Sequence, residues 1–558
     1  MLTILWLLKR LKTFIGNLWR GRRRAPEYVH FIISGSMPDL SEPRRNFWQK
    51  YLSKKPLSLE ELSLRFERIA RHRQIRGVVL HLGDIDLPQA KVQALQGEIA
   101  ALRQRGKQVV TWATGYKRCA YQVALAADQV LLQEGGSIGV LGLSTSQTYW
   151  KDSLARVGLG LDAVAISPYK SAADRLTHEK MSDEVRAMND WLLDSHYAEL
   201  IKDLCRGRGV NEARAEEIID HAPYTSARAM ALGLVDGIVS EEDLPEHLGQ
   251  NGRLATLSSW SRAEKVLPLL PLPSPSGYFG VIRVTGNIVD GISDRPPFKL
   301  PIPIPYLFAE RSGDITVVAQ ARAALLNNKV KGLLLYVDSG GGSAAASEAM
   351  YAALAKVATK KPVVAMMGAK AASGGYYVTA AAYHVVARPG SITGSIGVLA
   401  GKLLDEGLVK NLLANRFTQS RGESAELELP FRPYSDGERQ VKWEQISTLY
   451  ELFLRRVATA RRTTPAAIDQ IAGGRVWTGR QALEHGLIDS LGGLKEAVAK
   501  LQELTGLSGP VALRDIPLGR AEVPAPLASS AALVYGLESF RLFNAAYAQY
   551  ICLYDEQH

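Results

Sequence analysis

The chain has 558 residues, 46% of them hydrophobic and 22% charged, with no low-complexity runs. This excludes a disordered or fibrous protein and exceeds what one ordinary core can use, so two large units are expected. Three cysteines, Cys119, Cys205 and Cys552, have no CxxC spacing; a disulfide framework or four-cysteine metal centre is excluded, and no metal or cofactor is expected. The net charge of +11 is largely local, because Lys9, Arg10, Lys12, Arg20, Arg22, Arg23 and Arg24 contribute +7 of it without an acid among residues 1–24. A basic cluster set among Leu, Ile, Trp and Phe argues for a membrane surface and against a nucleic-acid groove, which needs charge spread over a folded face.

Residues 1–27 open the chain as that basic segment. Its uninterrupted apolar run ends at Leu8, too short for a spanning helix of about 20 residues. At helical period Ile4, Leu7, Leu11, Phe14, Ile15 and Leu18 share one face and Lys9, Lys12, Thr13 and Gly16 lie opposite, the pattern of a helix lying in the interface. No small-residue cleavage site follows, so a secretory signal is not expected.

From residue 28 onward one unit is written twice, about 255 residues apart. VVLHL (78–82) answers LLLYV (333–337), KQVVTWATG answers KPVVAMMGA, YQVALAADQVLL answers YYVTAAAYHVVA, and GSIGVLG answers GSIGVLA. Near each end YTSARAMALGLVDGI (224–238) answers WTGRQALEHGLIDSL (477–491). Short Val- and Leu-rich runs alternate with helical segments such as QALQGEIAALRQR and SEAMYAALAKVA, which predicts an α/β fold of two tandem β-α-β repeats with buried parallel strands flanked by helices. The boundaries read as an N-terminal repeat over 28–266, a Pro-rich linker over 267–277, a C-terminal repeat over 278–505 and a tail over 506–558. Within the second repeat RPPFKLPIPIPYLF (295–308) reads as an extended arm or lid, packed on its own domain or offered to an apolar partner.

The copies differ where chemistry is concerned. Aligning Tyr121 with Tyr376 sets Arg118 opposite Ser373, so AASGGYY (371–377) offers a nucleophile in the second copy alone. Matching the Ser-Ala pairs of ISPYKSAAD (166–174) and QSRGESAE (419–426) sets Lys170 opposite Glu423, so a lysine base exists in the first copy alone. Ser373 follows a strand and precedes a helix, where free N–H groups and the helix dipole favour an oxyanion, and Gly374 and Gly375 permit close approach. Gly341 or Gly342, in DSGGGSAAASE (338–348), offers a second oxyanion donor. A lysine pKa of about 10.4 must fall to about 7–8 for base catalysis, which burial away from acids supplies; Asp174 is the neighbour that would oppose it. His384 has no Asp placed to make a triad. Ser395 in TGSIG is a candidate to orient the amine, although its counterpart Ser137 fits a structural role equally.

These residues, AASGGYY with TGSIGV about 20 residues later, YKSAAD in the first repeat and SGGGSAAASE after a strand, resemble the signal peptide peptidase A family in its long duplicated form, which shares the Clp/crotonase fold. The resemblance covers about residues 28–505 and the tail motif FNAAYAQYICLY. It implies a serine protease with Ser373 as nucleophile, Lys170 as general base, Ser395 positioning the lysine, and the Gly341 region with Gly374 as oxyanion hole. It further implies a homotetramer at the inner membrane degrading apolar peptides such as cleaved signal peptides. Gly340 stands where the family has proline, and the family's transmembrane segment has no equivalent run here. A crotonase-like acyl-CoA hydratase or isomerase, expected to use carboxylates such as Asp338, and a non-catalytic membrane scaffold are the competing readings.

Overall fold

The computed structural model describes residues 2–42, 55–166, 168–294, 310–517 and 549–551. The Pro-rich arm at 295–308, Cys552 and most of the tail lie outside the described residues.

Each repeat builds a sheet with the same spatial order. In the first, parallel strands run Gly237–Ile238, Gln129–Leu132, Gln108–Ala113, Gly77–Leu82, Tyr28–Ile33 and Leu257–Ser259. In the second the order is Ser490–Leu491, His384–Ala387, Val363–Ala372, Val330–Ser343, Tyr278–Val289 and Ala512–Asp515, again parallel. The Val- and Leu-rich runs are buried on both faces, as parallel strands require, and the crossover helices Gln89–Gln104 and Ala344–Ala358 supply the cover. The tyrosines used to align the copies occupy equivalent places: Tyr121 Oη donates to Leu234 O at 2.7 Å and Tyr376 Oη to Leu487 O at 2.8 Å.

The units are not side by side as two beads. Strand Gly160–Ala165, in the segment the sequence assigns to the first repeat, pairs antiparallel with Leu399–Leu404 of the second. Val164 and Ile166 are buried in the core cluster of the second unit. The 26-residue helix Asp183–Arg208 starts on the Ser182 N-cap and also crosses over: its Met188 and Leu192 pack with Ala372, Ile392 and Val476. Chain from the first half is thus built into the second, which carries residue 170 between these two elements.

A buried charge cluster fixes the other contact between the halves. Asp39 is 1% exposed and pairs with Lys91 and, at 2.6 Å, with Arg388, while Tyr336 Oη donates to it at 2.8 Å. Burial alone would raise the Asp39 pKa, but Arg388 and Lys91 outweigh it and hold the carboxyl far below its ordinary value. A depressed carboxylate contributes stability above its unfolded pKa and loses it as pH falls through the folded value. Asp39→Ala should therefore cost about 3–5 kcal/mol at pH 7, since it strands two buried cations. In urea unfolding the gap from wild type should narrow only below about pH 4; a cost under about 1 kcal/mol would show that the cluster does not tie the halves together.

Candidate active site

Ser373 is the N-cap of helix Gly374–Thr379, directly after strand Val363–Ala372, and it is fully buried. Its backbone has φ 55° and ψ −120°, a conformation that non-glycine residues avoid and that is retained only where the surroundings over-determine it. They do so here. Ser373 N donates to Gly394 O at 2.8 Å, Tyr377 N donates to Ser373 O at 2.8 Å, and a Cβ at Gly375 would lie 2.5 Å from Ser339 O.

Lys170 is 3% exposed. Its Nζ lies 2.7 Å from Ser373 Oγ, 3.0 Å from Ser395 O and 3.1 Å from Ser395 Oγ. Ser395 is itself held at φ 51°, with its N donating to Arg475 O at 2.6 Å. The two side chains singled out by comparing the copies, together with Ser395, therefore meet within one hydrogen-bonded group of a single chain. Asp174, the acid of concern, faces His178, whose Nδ1 is 3.8 Å away.

The remaining sequence candidates separate. Gly374 is buried at the first position of its helix, where the N–H has no intrahelical partner. Gly341 (φ 104°) and Gly342 (φ 153°) sit at the end of strand Val330–Ser343, and Gly341 N donates to Ser339 Oγ at 3.1 Å. A Cβ at Gly342 would meet Ile288 O at 2.0 Å, so that turn admits glycine alone. Arg118 begins helix Arg118–Ala124, Glu423 and Ser137 are exposed, and His384 contacts Ser490 Oγ at 2.9 Å, in line with the absence of a triad there. Asp338 accepts from Lys370 N at 3.1 Å and lies 3.2 Å from Tyr336 Oη, a structural engagement that leaves the hydratase reading without its carboxylate.

Sequence reasoning missed the groups that aim the lysine. Gly474 (φ 89°) is the closest: a Cβ there would lie 2.3 Å from Lys170 N and 2.5 Å from its Cα. The preceding Tyr169 donates its N–H to Gly473 O at 3.1 Å. Its ring is covered by the Arg475 guanidinium at 4.1 Å and abuts Trp191, which stacks on Trp477 at 5.1 Å. One signal was available, because aligning Trp477 with Tyr224 sets Gly474 opposite His221.

A strand-borne, strained serine buried against a lysine on a duplicated α/β fold is the architecture of a serine peptidase. Comparison with known proteins agrees. Residues 101–254 and 355–508 each match the model of peptidase family S49. The chain is 31% identical to "Protease 4" of Salmonella typhi over 457 residues, covering 78% of this chain and 70% of that protein. It is 28% identical to "Protease 4" of Haemophilus influenzae over 463 residues, 79% of this chain and 72% of the relative. To "Serine protease SPPA, chloroplastic" of Arabidopsis thaliana it is 28% identical over 450 residues, 79% of this chain and 65% of the relative's length. The chain belongs to peptidase family S49, in its duplicated form.

Because residue 474 touches the backbone of Lys170, Gly474→Ala should move the amine without opening the core. The expected outcome is a fall in kcat of roughly tenfold or more on a chromogenic peptide, with KM little changed and Tm lowered, because alanine meets both the Lys170 backbone and a positive φ. Wild-type kcat in this variant would show that the glycine does not position the lysine.

Proposed function

We propose that this protein is an endopeptidase in which Ser373 is the nucleophile and Lys170 the general base, acting on apolar peptides such as cleaved signal peptides. The observation that carries the reading is the 2.7 Å contact of Lys170 Nζ with Ser373 Oγ in a buried setting. The Ser373 hydroxyl proton passes to the uncharged amine as Oγ attacks the peptide carbonyl; the lysine then gives that proton to the leaving amine. Water deprotonated by the same lysine releases the acyl group. Lys170 Nζ lies 2.7 Å from Ser373 Oγ and within 3.1 Å of both oxygens of Ser395, the reach that this proton transfer requires. Ser395 is the positioning residue, and the N–H of Gly374 at the helix start is the oxyanion donor best supported by location, with the glycine turn at Gly341 and Gly342 beside it.

An extended substrate suits this site. Backbone at Gly341–Ser343 pairs antiparallel with residues 549–551, and Gln549 pairs with Leu399, so this edge accepts an added strand. It adjoins the nucleophile, since Ser339 pairs with Ala371.

Membrane attachment is the second part of the reading. Helix Leu2–Gly21 exposes Leu7, Leu11, Phe14, Ile15 and Leu18 by 46–62%, and it is docked on the linker by Trp6 Nε1 to Pro273 O and by Asn17 with Leu269. No described helix is long and apolar enough to cross a membrane, whereas this one fits lying flat, cations toward anionic headgroups. Leu412, Leu413 and Phe417 are exposed by 69–92%, apolar area of the kind through which copies would associate into the tetramer that the family resemblance implies.

Ser373→Ala and Lys170→Ala should each lower kcat by roughly a thousandfold or more with unchanged oligomeric state, and a fluorophosphonate should label Ser373 in wild type. Full activity in either variant would end the proposal. Replacing Leu11 and Phe14 by Asp should abolish sedimentation with phosphatidylglycerol-containing vesicles while leaving hydrolysis of a soluble peptide intact; retained sedimentation would remove the helix from the membrane role.

A further inference from the structure

Away from Ser373, three side chains of the first unit have the donor set of a metal centre. His30 lies on strand Tyr28–Ile33 and His81 on the adjacent parallel strand Gly77–Leu82, in a register that sets His30 opposite Val79 and Ile32 opposite His81. Both imidazoles therefore leave the same sheet face, with ring centroids 5.9 Å apart and planes inclined by 17°. Glu241 opens the short turn Glu241–Asp243, which follows strand Gly237–Ile238. Its Oε1 is 3.9 Å from His81 Nδ1, and one donor atom from each of the three residues lies within 4.8 Å of the others.

Three further observations distinguish this group from chance. His81 Nδ1 is shielded from solvent and has no hydrogen-bond partner, a costly state for a ring nitrogen, and 3.9 Å to the carboxylate is too long to relieve it. Trp112 packs edge-on to the His81 ring at 4.6 Å, and its Nε1 donates to Val239 O at 2.8 Å, two residues before Glu241. One indole thus fixes both the ring and the start of the turn. The second copy shows that the fold does not need these groups. Strand register sets Val281 opposite His30 and Tyr336 opposite His81, and matching VDGIVSEED with IDSLGGLKE sets Leu494 opposite Glu241. All three belong to one apolar cluster there.

We propose that His30, His81 and Glu241 bind a divalent transition-metal ion, with Zn2+ the best match to two imidazoles and a carboxylate. This departs from the expectation, drawn from the cysteines, that the chain has no metal site. A tetrahedral ion with bonds of about 2 Å wants donors about 3.3 Å apart. Donor atoms that lie within 4.8 Å of one another need approach by at most about 1.5 Å, and exposed Glu241 is the freest of the three to move. Water takes the fourth position, and Ile32, 65% exposed on the same strand, leaves the approach open. The ion ties two strands to the turn that closes this sheet face.

The full chain, stripped with a chelator and titrated with ZnCl2 by calorimetry, should bind one ion in the micromolar range. His81→Ala and Glu241→Ala should each weaken binding at least tenfold while peptide hydrolysis by the zinc-free protein stays at wild-type rate. Glu241 is exposed, so its variant keeps the test open should His81→Ala fail to fold, and X-ray absorption on the zinc-loaded chain should report two imidazole ligands. Affinity unchanged in Glu241→Ala, an absorption spectrum without imidazole, or no binding by wild type would overturn the proposal.

Discussion

The contact on which the site depends is between backbones. Lys170 N and Cα lie where any side chain at position 474 would begin, so the loop bearing the lysine is pressed flat on the turn Gly473–Gly474 of the other repeat. Such an approach is possible only if the residue there lacks a Cβ and takes a positive φ, and glycine at 89° meets both conditions. A long flexible side chain thereby acquires a fixed root. With its root held, the four-carbon stem has few rotamers that stay out of solvent, and the amine ends between the oxygens of Ser373 and Ser395.

The rest of the molecule serves that approach. Strand Gly160–Ala165 leads into the loop and is annealed to Leu399–Leu404, while helix Asp183–Arg208 leads out of it and packs beside the strand that ends at Ser373. Loop closure between two ordered ends costs little additional entropy compared with ordering an isolated loop. The cation and aromatic stack of Arg475, Tyr169, Trp191 and Trp477 then closes the outer side. On the serine side the strained backbone is worth roughly 1–3 kcal/mol, stored against hydrogen bonds from both flanking elements. Both side chains are thus held before substrate arrives, which under the proposed chemistry is where positioning would contribute to catalysis.

Much of this was legible in the sequence because duplication supplies an internal control. The α/β class, the two parallel sheets and their common strand order follow from Val- and Leu-rich runs recurring in the same sequence of elements. Ser373, Lys170 and Ser395 were legible as chemical groups on a shared frame, two of them as differences between the copies. What was hidden depends on distance rather than pattern. Tyr169, Trp191, Arg475 and Trp477 come from separate stretches and have no common period, so nothing in the text of the chain joins them. Nor does any periodicity announce that residues 160–166 leave their own repeat for the sheet of the other; the strand signal there is equally good for either destination.

The two places where the copies part company share a topological setting. Ser373 follows the C-terminal end of strand Val363–Ala372, and His81 is the penultimate residue of strand Gly77–Leu82. Ends of parallel strands lie at the margin of the sheet, where loops and turns meet them, so a residue there can change type without disturbing the strand pairing of the middle. In the middle the copies stay alike, as with Tyr121 and Tyr376, which bond equivalent carbonyls. A duplicated parallel-sheet protein can therefore divide its chemistry between halves at the strand ends while the shared interior keeps each half folded. The lysine is the exception that such a division requires: it sits on no strand end, and reaches the serine only because its segment is woven into the neighbouring sheet.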